Sequence, residues 1–273
     1  MKKNIFVLTS LMLTLGCGCD SFLDETNYSD VTSEGGYYDT EAGLNAVVNA
    51  CYTPLRFWAG KEDAIGLSET GTDIIAAGSG CVDNNMAAYT QSLDGTNSAC
   101  TFYFDRFYAA INWCNTAIFH AQTVPNPSND EILATTLNKR EAEARVLRTF
   151  YYWILTETFG DTYYTDQPST SIVMNPVKTS TDNIYQYMFD DLDWAIKSKL
   201  STLQNDGGRV TIWTAKALKA RLLLTRASEK NDVDMYGQAY DLAKDVIENG
   251  PFELAEDFAS IWDMKNSDGN SNK

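Results

Sequence analysis

Along most of this chain, apolar residues recur at three- and four-residue steps, the spacing of a helix with one buried face. From Glu41 to Trp58 the row is Leu44, Val47, Val48, Cys51, Tyr52 and Leu55, and it returns with Phe104, Phe107, Tyr108, Ile111, Cys114 and Ile118 until Pro125 and Pro127 end it. From Asp130 to Phe159 one row carries Leu133, Leu137, Ala144, Leu147, Tyr151 and Leu155, and Val146, Phe150 and Trp153 form a second. Two apolar faces predict that the second half of this helix lies between other helices. At 1.5 Å per residue the segment reaches about 45 Å, the length of a spine.

Further on, Thr179 and Asp182 are spaced as a capping box before Tyr185, Met188, Phe189, Leu192 and Ile196, with Asp190, Asp191 and Asp193 mostly on the solvated side. Thr211 caps an Ala- and Leu-rich helix whose small residues let a neighbour approach closely. A last helix from about Asp234 to Asn249 turns Tyr236, Ala239, Tyr240, Ala243 and Ile247 inward, and Gly250-Pro251 stops it. No long alternating strand run occurs. The predicted fold class is all-α, with antiparallel helix pairs of tetratricopeptide-like type. A long irregular segment interrupts them from Ala59 to Thr101, rich in Gly, Ser, Asn, Asp and Thr; such a stretch inside a compact protein usually carries function.

Before the first helix, Lys2 and Lys3 precede an apolar stretch from Ile5 to Leu15 and then Gly16-Cys17-Gly18-Cys19. Residues 1–18 read as an export signal, and the apolar stretch is about half of the ~20 residues that cross a bilayer. A Cys straight after such a stretch is the acceptor of a diacylglycerol anchor in bacterial lipoproteins, with Cys19 the expected site and Cys17 its rival. The remaining Cys51, Cys81, Cys100 and Cys114 allow three pairings if all are oxidised, while Cys51 and Cys114 fall in helical rows where a free thiol serves as a small apolar residue. Their spacing matches no zinc site.

A net charge of −16 works against nucleic acid as a partner, because binding phosphates requires Lys and Arg. The single histidine, His120, leaves little room for His-based triads and reads as an ordinary helix-end or surface residue. Neither an HExxH pair, a GxSxG elbow nor a phosphate-binding glycine loop is present, and no cofactor is expected. A catalytic carboxylate pair is not excluded by counting 37 acids, though acidic helix faces are more simply solvated. Glu141, Arg145 and Arg148 sit one turn apart on the spine and suit a structural ion-pair role, and Asn115 suits a bond to a neighbouring backbone group.

The irregular stretch from Ala59 to Tyr103, with Trp58 at its edge, holds the better site candidates. Trp58, Tyr89 and Tyr103 offer flat apolar faces, and Asp73, Asp83, Asn84 and Asn85 offer hydrogen-bonding groups. Sugars present the matching mixture of C–H faces and hydroxyl fringes. The substrate-binding candidates are therefore Trp58, Asp73, Asn84, Asn85, Tyr89 and Tyr103, with the same rings also suited to anchoring the segment to the core.

Several segments, in order, resemble the RagB/SusD family of bacterial outer-membrane nutrient-uptake lipoproteins. They are Cys19-Asp-Ser-Phe-Leu-Asp24-Glu25, Glu41 to Leu55, Phe107 to Asn115, Ala142 to Tyr152 followed by Phe159-Gly160-Asp161, and Gly208-Arg209-Val-Thr211. Thr162 and Tyr163 stand where the family usually has an aliphatic residue and Pro. The resemblance implies a SusD-like helical domain over 19–273, held at the cell surface by a lipid on Cys19. It also implies capture of an oligosaccharide or other nutrient, without catalysis, and delivery to a SusC-type TonB-dependent transporter. Members of the family run much further, so the resemblance implies that the chain is the N-terminal part of a longer protein. The competing functions are a helical adaptor for protein partners and a secreted all-α glycosidase; glycan affinity electrophoresis separates the first from sugar capture, and product release identifies the second.

Overall fold

The computed structural model describes residues 36–59, 62–76, 78, 84–126, 128–202, 208–255 and 257–262. The export signal, Cys17, Cys19 and Cys81 lie outside the described residues. The elements below belong to the compact unit that begins at Tyr38.

The chain is all-α, as its periodicity predicts. Helix α1 (Glu41–Tyr52) is followed by three short helices, α2 (Leu55–Ala59), α3 (Glu62–Ser68) and α4 (Asn84–Ala88). The long helices α5 (Ser98–Thr123), α6 (Glu131–Phe159), α7 (Thr181–Lys197), α8 (Ile212–Lys230) and α9 (Val233–Asn249) complete the layer, and a 3₁₀ turn covers Phe258–Trp262. Each long helix opens on a side chain that accepts from the first free backbone N–H groups. These caps are Thr40 for α1, Asn97 for α5, Asp130 for α6, Ser180 for α7, Thr211 for α8 and Asp232 for α9. The Thr211 cap is reciprocated by Thr214.

Packing follows chain order. Helix α1 lies against α5 and α6, and then α5 packs on α6, α6 on α7, α7 on α8 and α8 on α9. The two-residue link Asn231-Asp232, with Asn231 left-handed at φ 53°, makes α8 and α9 a tight hairpin. Leu44, Val48, Tyr103, Phe107, Ile111, Leu147, Tyr151 and Leu155 form the core where α1, α5 and α6 meet. Phe107 stacks on Tyr151 with centroids 5.5 Å apart, and the Tyr151 hydroxyl donates to the Cys51 carbonyl at 2.6 Å. Cys51 and Cys114 are buried free thiols, and burial pushes the Cys114 thiol up.

Polar ties join the helices. Asp191 of α7 is buried and accepts from Arg145 Nη1 at 2.6 Å, Arg148 Nε at 2.8 Å and Arg148 Nη2 at 2.8 Å. Arg148 also donates to Asn115 Oδ1 at 2.8 Å, and Asn115 Nδ2 donates to the carbonyls of Thr165 and Gln167, both at 3.1 Å. Burial disfavours the Arg148 charge, yet the Asp191 carboxylate more than offsets this and raises its pKa. Glu143, fully buried, accepts from the Tyr52 hydroxyl at 2.7 Å, Arg209 Nη1 at 2.9 Å and Arg140. Burial and the Glu143 charge push the Tyr52 phenol up.

Several expectations are corrected. The helix read from Glu41 to Trp58 breaks at Thr53-Pro54, since Pro lacks the N–H that would continue it. The segment from Ala59 to Thr101 contains α3, α4 and the start of α5. The cap of α7 is Ser180; Thr179 instead lies in a two-residue strand β2 (Lys178–Thr179), paired antiparallel with β1 (Thr162–Tyr163). Tyr108 Oη fixes that strand by bonding Thr162 Oγ1 at 2.5 Å and the Tyr163 carbonyl at 2.6 Å. Asp191 is interior rather than solvated because two guanidinium groups meet it there. His120 is buried, with Nδ1 2.7 Å from Asp39 Oδ1. On α9, Ala239 is buried with Met235 and Leu242 packed on the core, whereas Tyr236, Tyr240 and Ile247 are exposed. The face toward α8 is thus the 235–239–242 row.

Candidate functional site

A cavity of about 920 Å³ opens between the segment that follows α1 and the C-terminal end of α6. Trp58, Glu69, Tyr89 and Asp94 wall one side, Trp153, Glu157 and Phe159 the other, and Arg221 of α8 reaches its edge. Each wall has a local cause. Trp58 at the end of α2 is held edge-on to Tyr103 at 5.8 Å and tilted against Phe107 at 5.9 Å, so the core fixes its plane. Tyr89, 71% exposed, follows α4 in a left-handed conformation at φ 49°.

The Tyr89 ring lies on the backbone of Gly71, whose φ is +90°. A Cβ there would stand 3.1 Å from Tyr89 Cε2 and from its hydroxyl oxygen, and 3.0 Å from the Met86 carbonyl oxygen. Gly71 is therefore required both by its conformation and by the ring above it. Asp94 is set by a tight turn in which Oδ1 accepts from Thr96 N at 2.8 Å and Thr96 Oγ1 at 2.6 Å. Those hydrogen bonds hold its carboxyl below the ordinary carboxylate value, so it is ionised at neutral pH.

On the opposite wall, Trp153 and Glu157 stand one turn apart at the end of α6. The Arg221 guanidinium carbon sits 4.9 Å from the Trp153 ring centroid, a cation–π contact. The Trp153 Nε1–H is buried and has no hydrogen-bond partner. Glu157 Oε1 accepts from the Tyr185 hydroxyl, and burial, reinforced by that carboxylate, pushes the Tyr185 phenol up. No group of three His, Cys, Asp or Glu side chains is placed to hold a metal ion among the described residues.

Of the candidates read from the sequence, Trp58 and Tyr89 meet in this cavity. Tyr103 does not: it is fully buried, its hydroxyl donates to the Phe57 carbonyl at 3.3 Å, and its ring packs on Trp58, Phe102 and Phe107. It supports the Trp58 platform from beneath and offers no face of its own. Asp73 is exposed and stands apart from the cavity lining. Asn84 and Asn85 open α4, and their side chains lie outside the described residues. Glu69, Asp94, Trp153, Glu157, Phe159 and Arg221 escaped the sequence reading. The one-turn spacing of Trp153 and Glu157, beyond the buried row of the spine, was their local signal.

A family model described as SusD-like, starch-binding associating with outer membrane, matches residues 72–272. The chain belongs to the SusD-like family. A SusD-like protein of Bacteroides ovatus is 26% identical over 98% of this chain and 48% of its own length. The chain spans about half the length of the curated relatives it matches. Among solved structures, a SusD homolog from Bacteroides thetaiotaomicron superposes with a TM-score of 0.71 at 23% identity, covering 86% of this chain and 45% of that one. A laminarin-binding SusD-like protein superposes at 0.67 and 20% identity, covering 82% of this chain and 48% of its own. These likenesses establish the shared SusD-like helical fold.

Proposed function

We propose that this chain captures glycans at the outer surface of a bacterial cell as a non-catalytic binding protein and passes them to a TonB-dependent transporter. The observation that carries this reading is the family match, whose description names starch binding and association with the outer membrane. The cavity supports it physically. Trp58 and Tyr89 present rings to the C–H faces of a sugar, and Glu69, Asp94 and Glu157 accept from hydroxyl groups. In this reading residues 1–18 direct export and a lipid on Cys19 anchors the protein to the membrane, with the helical domain held outside it. Among the described residues no helix is long and apolar enough to cross a membrane.

The test is affinity electrophoresis of the natural gene product in gels cast with glycans, followed by analysis of the glycan for chain shortening. Retardation without shortening is expected. Shortening would assign a glycosidase, and free migration in every glycan gel while a protein partner is retained would assign an adaptor.

A further inference from the structure

We infer that the cavity selects neutral, hydroxyl-rich glycans and rejects those bearing carboxylate or sulfate groups, an inference that rests on the capture reading above. Among the described residues, three carboxylates, Glu69, Asp94 and Glu157, line the cavity against one guanidinium, Arg221. That guanidinium is already stacked on Trp153. Asp94 is held ionised by Thr96, and Glu157 is oriented by the Tyr185 hydroxyl. A sphere of the cavity's volume has a radius of about 6 Å, inside the Debye length of about 8 Å at physiological salt, so solvent ions screen this field poorly.

Carboxylates accept hydrogen bonds and donate none. A neutral sugar meets them with hydroxyl donors and meets Trp58 and Tyr89 with its C–H faces. A uronate or sulfate ester brings acceptors to acceptors and negative charge to negative charge, and the chain's net charge of −16 adds to the repulsion along the approach.

The experiment compares gels containing amylopectin, xyloglucan or laminarin with gels containing polygalacturonate or chondroitin sulfate, run on the natural gene product at 0.15 M salt. Retardation by at least one neutral glycan and by neither anionic one is expected, with Glu69→Gln/Asp94→Asn weakening the neutral glycan about tenfold. Binding of an anionic glycan as tightly as a neutral one overturns the charge selection and leaves glycan capture standing. Failure of every glycan overturns both. A glycan-free measurement reads the charge separately. With each quencher normalised to its effect on free N-acetyltryptophanamide, the emission lost in Trp58→Phe/Trp153→Phe should be quenched about twofold more by caesium than by iodide. Equal or stronger normalised quenching by iodide would overturn the acidic cavity itself.

Discussion

Asp191→Ala is the perturbation that tests the centre of the helix stack most directly. The substitution removes three charge-assisted hydrogen bonds at once, one to Arg145 and two to Arg148. Arg145 keeps Glu141 at 2.7 Å, but Arg148, 4% exposed, keeps only Asn115 and a distant contact to the Asp166 carbonyl at 3.5 Å. Removing one partner of a buried pair costs about 3–5 kcal/mol, because the remaining charge is left without water or counter-charge. For a domain of this size, about 2–4 °C of melting temperature corresponds to 1 kcal/mol, which predicts a drop of about 6–20 °C. Thermal unfolding followed by far-ultraviolet circular dichroism reads it. The double variant Arg148→Met/Asp191→Leu leaves Arg148's charge out altogether and should recover most of the loss. A single variant melting within about 2 °C of the parent, or a double variant no better than the single, would refute the orphaned-charge argument.

Leu147→Ala, at a position 3% exposed in the core, should cost about 2–5 kcal/mol, and an unchanged melting temperature would place it outside the core. Gly71→Ala should cost about 1–3 kcal/mol and displace the Tyr89 ring; a parent-like melt combined with unchanged glycan retardation would count against the close approach. On the alkaline side, burial holds the Tyr52, Tyr151 and Tyr185 phenols protonated well above the ordinary value of 10.0 and pushes Tyr164 up to about 12. The native state therefore binds these protons more tightly than the unfolded state. Their stabilisation is complete below pH 10 and declines as pH rises from there toward 12 and beyond. Tyrosinate absorbance should accordingly lag behind free tyrosine until helix signal is lost, and full ionisation in a still-helical protein would contradict it. Mass spectrometry of the mature N-terminal peptide should find an acyl chain on Cys19, and an unacylated N-terminus elsewhere would sink the anchor.

Where sequence and structure agree, the signal was local. Asp130, Thr211 and Gly250-Pro251 mark ends of α6, α8 and α9, because a cap or a stop acts within one turn. The errors follow from what periodicity omits. Helices α3 and α4 are seven and five residues long, too short for a three-to-four spacing to repeat. Starting α5 at Ser98 places Tyr103 one turn before Phe107 on the buried row, so reading it as loop made a core residue look like a platform. Asp191 sits beside acidic, exposed Asp190 in the sequence, and only the distant Arg145 and Arg148 give it reason to be inside. The cavity was half legible for the same reason. Tyr89 lies in the segment that composition singled out and Trp58 borders it, whereas Trp153, Glu157 and Arg221 arrive on helices whose apolar rows said only that they pack.

The buried Glu143 knot has a kinetic meaning. Through it α1, α6 and the strand of chain entering α8 are bound at one point: Tyr52 both donates to Glu143 and accepts from the Val210 amide at 2.9 Å, and Arg209 reaches Asn49 across 160 residues of sequence. None of these segments can fray without stripping a partner from a fully buried carboxylate. In native-state hydrogen exchange, the α1 amides and the Val210 amide therefore belong to one cooperative opening unit with the middle of α6, and their protection should rise and fall together although they are distant in the chain.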